Sequence, residues 1–303
     1  MNMDKVLWLE LFPDEFKIRQ RAVPLAYLPL GICEPHGQIS AFGLDTFKAE
    51  FLTQEAARRW GGIVAPTMNY HVHEIGPSAR FLEERVGETN PHMTSVPSYV
   101  FLYFFLYQLR VLYNAGFQAA VVLSGHGGSH PDDLRKVAKH FGKFTGMRIW
   151  MGTDFDLAAP QFPGDHAGKY EISVLSYLRP DLIDPSRRVL EDVPGSGGAF
   201  ALGDDADEAS AEYGQSIVEL CLERLGDIVS DLAEGLSAAD ESRMLGFEQT
   251  EQIWRELVGA ESWATLQPRP GQPPVSEHSR WKQGEFGKIR YNYNLEDEPK
   301  SAE

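Results

Sequence analysis

The chain has 303 residues, 43% of them hydrophobic and 24% charged, which is enough for one large α/β domain or two modest ones and shows no disorder signature over most of its length. Its 28 basic residues against 44 acidic ones give a formal net charge of −16, which disfavours unspecific binding to nucleic acid or to anionic membranes. The start carries no signal peptide, the apolar run Tyr99–Tyr107 is too short to span a bilayer, and two cysteines, Cys33 and Cys221, make no disulfide framework, so the expected location is cytoplasmic.

In chain order, Ala26–Ile32 is an apolar run ending in a polar loop and reads as a strand that delivers residues to that loop. Asp45 opens an amphipathic helix through about Trp60, with Phe47, Phe51, Ala56 and Ala57 among its apolar positions. Gly62–Pro66 is a second buried strand, and Ser98–Asn114 has helical length and period before the stop signal Asn114-Ala115-Gly116. A third strand, Phe117–Leu123, precedes a helix over Asp132–Phe144 with Pro131 at its first position, and Met147–Met151 is a fourth strand. A helix carrying Glu171, Val174, Leu175 and Leu178 ends near Pro180. After the Gly/Ala/Asp-rich stretch Gly195–Ala211, Tyr213–Leu236 is a long helix with Ile217, Cys221, Leu225, Ile228 and Leu232 on one face.

Strands alternating with helices predict a layered α/β/α fold around a mostly parallel sheet, whose ligands gather at the carboxyl ends of the strands. Residues 1–240 are expected to form the main domain. Residues 241–303 are expected to form an extended C-terminal arm on that domain or on a neighbouring subunit, with Trp254, Trp263, Trp281, Phe286, Tyr291 and Tyr293 among prolines and polar residues and a frayed Leu295–Glu303.

Glu34-Pro35-His36-Gly37 follows the first strand, Asp45 comes eleven residues after Glu34, and Ser124-Gly125-His126-Gly127-Gly128 follows the third strand. Carboxylates and imidazoles are hard and borderline ligands suited to divalent metals, and a bound metal can turn water into a nucleophile near neutral pH. A carboxylate can span two cations, whereas a neutral imidazole fills one position. No lysine stands at P-loop spacing, so the glycines are not a phosphate cradle; they let backbone approach the metals. His71-Val72-His73-Glu74 alternates as a strand would, and reads as an additional metal site, a substrate wall or, most plainly, a loop of solvated histidines. Asp165 either orients an imidazole or opens a turn, and His92, His130, His140 and His278 read as structural or exposed.

With His166-Ala167-Gly168-Lys169-Tyr170-Glu171-Ile172-Ser173, these motifs resemble the creatininase (creatinine amidohydrolase) family, whose pattern reads E-x-H-G, an aspartate, N-G-H-G-G-N and H-A-G-x-x-E-T-S. The resemblance covers roughly residues 8–236. It implies a layered α/β fold, two divalent ions (zinc and/or manganese, with ferrous iron equally suited) and hydrolysis of a C–N bond in a small cyclic or N-acyl amide. By position, Glu34 and His126 would hold one metal, His36 the other, and Asp45 would bridge them, with His166 as the catalytic proton shuttle. The resemblance further implies a homo-oligomer, a hexamer among the options, that takes a small-molecule substrate and neither nucleic acid nor membrane. His73, Gly128 and Asp165 are the candidate substrate contacts.

The chain departs from creatininase at Gly128, where the family enzyme has a glutamate ligand to the second metal. Glu171, inside the helix that His166 precedes, is the expected replacement, and a single-metal enzyme follows if it does not serve. Ile39-Ser40-Ala41, Leu44, Ser124 and Ser129 also depart from the pattern, altering pocket walls and the hydrogen bonds that tune a metal, so creatinine itself is not the expected substrate. The alternatives are a ring-opening C–C or ester hydrolase acting on an oxidised sugar or cyclitol, and a non-catalytic metal-binding relative.

Overall fold

The computed structural model describes residues 5–74, 76–85, 92–128, 130–191, 193, 202–236, 243–260, 262–267 and 271–281. Its helices are α1 (Pro13–Ala22), α2 (Leu44–Trp60), α3 (Pro77–Arg85), α4 (Ser98–Asn114), α5 (His130–Thr145), α6 (Asp154–Ala158), α7 (Lys169–Leu178), α8 (Ala211–Ala233) and α9 (Phe247–Ala260). The strands are β1 (Leu25–Leu30), β2 (Ile63–Val64), β3 (Ala119–Ser124) and β4 (Arg148–Thr153), in the order β2-β1-β3-β4 and all parallel.

Every residue of β1 and of β3 is buried, because helices cover both faces of the sheet. Alternate residues of these strands enter different cores. Ala26, Leu28, Leu30, Ala120 and Val122 pack with α4, α5 and α9, whereas Leu25, Tyr27, Ala119, Val121 and Leu123 pack with α2, α7 and α8. The result is the expected α/β/α layering. Starting from β1, the chain adds β2 on one side and then returns to add β3 on the other, so the carboxyl ends of β1 and β3 flank a topological switch point. Parallel sheets open a crevice for ligands at such a point.

Within residues 241–303, expected as an extended arm on this domain or on a neighbouring subunit, the structure describes a helix, α9, packed on its own chain. Ile253, Trp254 and Leu257 share a core with Phe101, Phe105 and Leu109 of α4, and Trp263 joins them. Thr250, Ile253, Trp254 and Leu257 recur at helical spacing and are all buried, a pattern masked in the sequence by the proline-rich residues that follow. Asn114 clasps Leu245 through both backbone groups (2.8 and 3.1 Å), and the Asp133 carboxylate accepts from Ala264 N–H (2.8 Å) and from the N–H and hydroxyl of Thr265 (2.9 and 2.8 Å). Phe286, Tyr291, Tyr293 and Leu295–Glu303 lie outside the described residues, as do Ser129 and, of the stretch Gly195–Ala211, residues 195–201. Among the described residues no helix is long and apolar enough to cross a membrane.

If α9 is part of the main core, Trp254→Ala should cost about 3–5 kcal/mol of unfolding free energy in urea denaturation. A loss under about 1 kcal/mol would mean that α9 is a detachable appendage.

Candidate metal centre

Leu30 and Ser124 form the last rung of the β1–β3 ladder, so the loops that leave these strands start side by side. One loop carries Glu34 and His36 and the other carries His126, while Asp45 and Glu171 come from the first turns of α2 and α7. The approach of the β3 loop to α2 depends on Gly125, where a Cβ would lie 2.0 Å from the Asp45 carbonyl oxygen. His73 arrives from the loop after β2. That loop is pinned by His71 N–H to Thr94 carbonyl (3.1 Å), Val96 N–H to His71 carbonyl (2.8 Å) and His73 N–H to Ser95 hydroxyl (3.2 Å).

The structure brings Glu34, His36, Asp45, His126, Glu171 and His73 together, all buried. Asp45 faces two ways: Oδ1 lies 3.4 Å from His36 Nε2 and Oδ2 lies 3.2 Å from His126 Nδ1. Glu171 Oε2 is 3.3 Å from His36 Nε2, Glu34 Oε1 is 2.9 Å from His126 Nδ1, and Glu34 Oε2 is 2.7 Å from His73 Nε2. Among the four donor groups whose ligand atoms lie within 4.8 Å of one another, His36–Asp45–Glu171 and Glu34–His73–His126 share no residue; the others are Glu34–His36–His166 and His71–His126–His130. The other nitrogen of each pattern histidine sets the ring: His36 Nδ1–H donates to the Glu34 carbonyl (3.1 Å) and His126 Nε2–H to the Val72 carbonyl (3.3 Å). His36 Nε2 and both Asp45 oxygens are buried yet make no hydrogen bond. Buried polar atoms are ordinarily satisfied, and divalent cations would satisfy these three, so the donors fit the metals that the motifs imply.

Charge balance at the centre involves a lysine beneath it. Lys48 Nζ lies 2.6 Å from Glu171 Oε1, 3.2 Å from Asp154 Oδ2 and 3.7 Å from Asp45 Oδ1, fully buried against the Phe155 ring. Burial alone would discharge this ammonium, but Asp154, Glu171 and Asp45 outweigh it and hold its pKa above the ordinary lysine value. Burial also opposes the ionisation of Glu171 and Glu34. Lys48 and His36 hold the first carboxyl low, and His126 and His73 hold the second well below its usual range. Asp154 is pushed up to about 6 by burial, which Lys48 only partly offsets. Against desolvation, Glu34 and Asp45 raise His126 to about 10, and Asp45 and Glu171 raise His36 well above its ordinary value. Cations taken up here replace these protons.

His166 stands at the mouth of the cluster, before α7. Its Nδ1 is 3.8 Å from Glu34 Oε1 and 4.0 Å from Glu171 Oε2, and its ring lies 4.9 Å from that of His36. Burial lowers its pKa, with Glu34 opposing and His36 reinforcing, so the imidazole is neutral and able to accept a proton at neutral pH. Ala167 adopts a φ of 51°, a costly left-handed conformation for a non-glycine residue, and its N–H thereby reaches Glu171 Oε2 (2.8 Å). Asp165 accepts N–H groups from Gly168 (3.1 Å), Tyr170 (2.6 Å) and Glu171 (3.3 Å), so of its two sequence readings it opens the turn. A cavity of about 580 Å³ covers the cluster, with His73, Gly128, Asp165 and His166 on its wall.

Residues 10–229 match the family model for creatininase, creatinine amidohydrolase. The chain belongs to the creatininase family. A crystal structure of creatinine amidohydrolase (creatininase) is similar to it, with a TM-score of 0.63 at 21% identity over 76% of this chain and 99% of that one. A manganese creatininase gives 0.61 at 21% over 76% and 99%, and a mutant creatininase of zinc–zinc type gives 0.61 at 21% over 76% and 98%. No curated protein matches the chain. Membership in the creatininase family, together with the donor groups, makes the chain a metal-dependent hydrolase.

Beside the family pattern, the structure corrects the reading of His71 and His73 as solvated. His71 is 0% and His73 5% exposed, because the pairing with Thr94–Val96 turns both inward. The His71 ring packs on Phe101 at 4.0 Å, and the His73 ring stacks on His126 at 5.4 Å. His130, outside the motifs, is also buried, stacks on His126 at 4.5 Å, and donates from Nε2 to the His126 carbonyl (3.0 Å). Lys48 and Asp154 went unnoticed in the sequence. The available signals were that Lys48 lies one turn after Asp45 on the same helix and that Asp154 immediately follows a strand.

Lys48→Met leaves the Glu171 and Asp154 carboxylates without their buried counter-charge and should cost about 3–5 kcal/mol in the metal-free protein. Adding Asp154→Asn should recover at least about 1 kcal/mol in a double-mutant cycle of urea denaturation, whereas additive losses would show that the pair is not coupled.

Proposed function

We propose that the protein hydrolyses the C–N bond of a small cyclic or N-acyl amide, using two divalent ions held by Glu34, His36, Asp45, His126 and Glu171, with His166 as the proton shuttle. The observation that carries this reading is Asp45, whose two oxygens face two different imidazoles at 3.4 and 3.2 Å. Charge supports two ions over one. Glu34, Asp45, Glu171 and Asp154 bring four buried carboxylates against the single ammonium of Lys48. One divalent cation leaves net negative charge in the interior, whereas two leave a small positive surplus that favours deprotonation of a water in the cavity. Structures of similar creatininases are described with manganese and as zinc–zinc forms, and both metals suit carboxylate and imidazole donors.

When bound, such ions supply an activated water and polarise a carbonyl oxygen. The chain's own residues do the rest. Lys48 occupies Glu171 Oε1, which leaves Oε2 on the His36 side beside Asp45. Neutral His166, within 4.0 Å of Glu34 and Glu171, takes the proton from the attacking water and passes it to the leaving nitrogen. Phe81 and Phe155 on the cavity wall limit the access of bulk water.

Mass spectrometry of protein purified without chelator should find about two ions per protomer, falling with Asp45→Ala. One ion would make Glu171 a non-ligand, and none after reconstitution with zinc, manganese and iron would sink the reading. His166→Ala should retain its metal and lose about 10²–10⁴-fold in kcat on any amide the wild type cleaves. An unchanged kcat would remove His166 from the mechanism.

A further inference from the structure

Opposite the metal ligands, the cavity is closed by two segments that hold each other. Val275 and Trp281 are buried against Ala79 and Leu82 of α3. Ser276 donates its N–H to both Glu83 oxygens (3.0 and 3.2 Å) and its hydroxyl to one of them, and Arg80 donates to the Pro274 carbonyl (3.4 Å). The outer face of α3 is thus committed to residues 271–281, which lie beyond the family match at 10–229. The inner face presents Ser78, Phe81 and Glu84 to the cavity, and Gln272 joins them from the C-terminal segment. Phe81 lies 5.2 Å from the His166 ring and 6.2 Å from the His73 ring, so this wall reaches the place where a substrate must lie.

We propose that α3 and residues 271–281 together form the specificity wall of the metal centre, and that this wall selects uncharged and cationic amides over anionic ones. The inference rests on the hydrolytic reading above and names its substrate class. Among the described residues, no lysine or arginine lines the cavity, while Asp165 and Glu84 do, the latter paired with Arg80 Nε at 2.8 Å from outside the lining. A substrate carboxylate or phosphate would therefore meet carboxylates and an apolar ring, with no guanidinium or ammonium on the lining to replace its lost water, since the nearby Arg80 guanidinium is already engaged by Glu83 and Glu84. An uncharged amide finds hydrogen-bonding groups in Ser78 and Gln272 and a flat apolar face in Phe81.

Hydroxamates test this without knowledge of the substrate, since each anchors on a metal through its own two oxygens and leaves a tail to meet the wall. Affinities of acetohydroxamate (neutral), glycine hydroxamate (cationic) and succinate monohydroxamate (anionic) are measured by calorimetry on the full-length, metal-loaded protein. The anionic probe should bind at least about tenfold more weakly than the other two, and Glu84→Gln should narrow that gap about threefold. Trp281→Ala, which unfastens the wall, should shrink it to within about threefold with metal content unchanged. Glu83→Gln, a half-buried change that weakens the same clasp, should act in the same direction if Trp281→Ala does not fold. Equal affinities for the three probes with ions bound, or a gap indifferent to these variants, overturns the wall and leaves the hydrolytic reading standing. Protein that retains no ion, shown by mass spectrometry, overturns the hydrolytic reading and the wall with it.

Discussion

Four carboxylates buried within one cluster are the constraint on which the rest of this site depends. Taking even one such group out of water costs several kcal/mol unless it is paired, so an assembly of Glu34, Asp45, Glu171 and Asp154 requires opposite charge in the same volume. Lys48 supplies one unit from below and protonated His36 and His126 supply more in the absence of metal, as their raised pKa values register. Protons on the two ligand imidazoles are a replaceable solution. Divalent cations deliver more charge to the same atoms, and the geometry already holds those atoms within reach of one another.

Only a backbone that delivers several loops to one point can assemble such a cluster. The order β2-β1-β3-β4 sets a switch point at the carboxyl ends of β1 and β3, where the loops diverge, and the helices bury both faces of the sheet beneath it. Packing there is tight enough that Gly125 has no space for a side chain against Asp45, which couples the position of His126 to that of Asp45. The strain at Ala167 belongs to the same logic, since the left-handed turn aims an N–H at the Glu171 oxygen that faces His36.

The residues that gather at the cluster, Glu34, His36, Asp45, His126 and Glu171, stood out in the sequence because each follows a strand or opens a helix within a compact motif that resembles the family pattern. The helices α2, α4, α5, α7 and α8 were legible from their apolar periods, and the four strands from short apolar runs between glycine, proline and polar residues. Helix α9 was not, because Ile253, Trp254 and Leu257 make a short apolar stripe beside a proline-rich tail whose composition suggests an arm. His73 was ambiguous because burial of an irregular loop depends on pairing with residues more than twenty positions away, here Thr94–Val96. Lys48 shows the strongest limit: a lysine one turn into a helix normally reads as solvated, and its burial is decided by Glu171 and Asp154, over a hundred positions further along the chain.

Under the proposed two-ion reading, Gly128 requires that donors to the second ion come from elsewhere. With no side chain and a φ of 98°, it offers only backbone to the cavity, and the space beside it is bounded by the His130 ring at 3.4 Å from where a Cβ would lie. A ligand missing from that loop can be supplied by an element already aimed at the centre, and two qualify. Glu171 reaches the His36 side from α7, held by Lys48 and the Ala167 N–H. His73 reaches the Glu34–His126 side from the loop after β2, held by Ser95. The two donor groups that result are chemically unequal. One has a single imidazole and two carboxylates, the other two imidazoles and one carboxylate, so the first is the harder set and the second the softer. That inequality is imposed by which loops the fold can bring to the switch point, and it follows once residue 128 has no side chain to give.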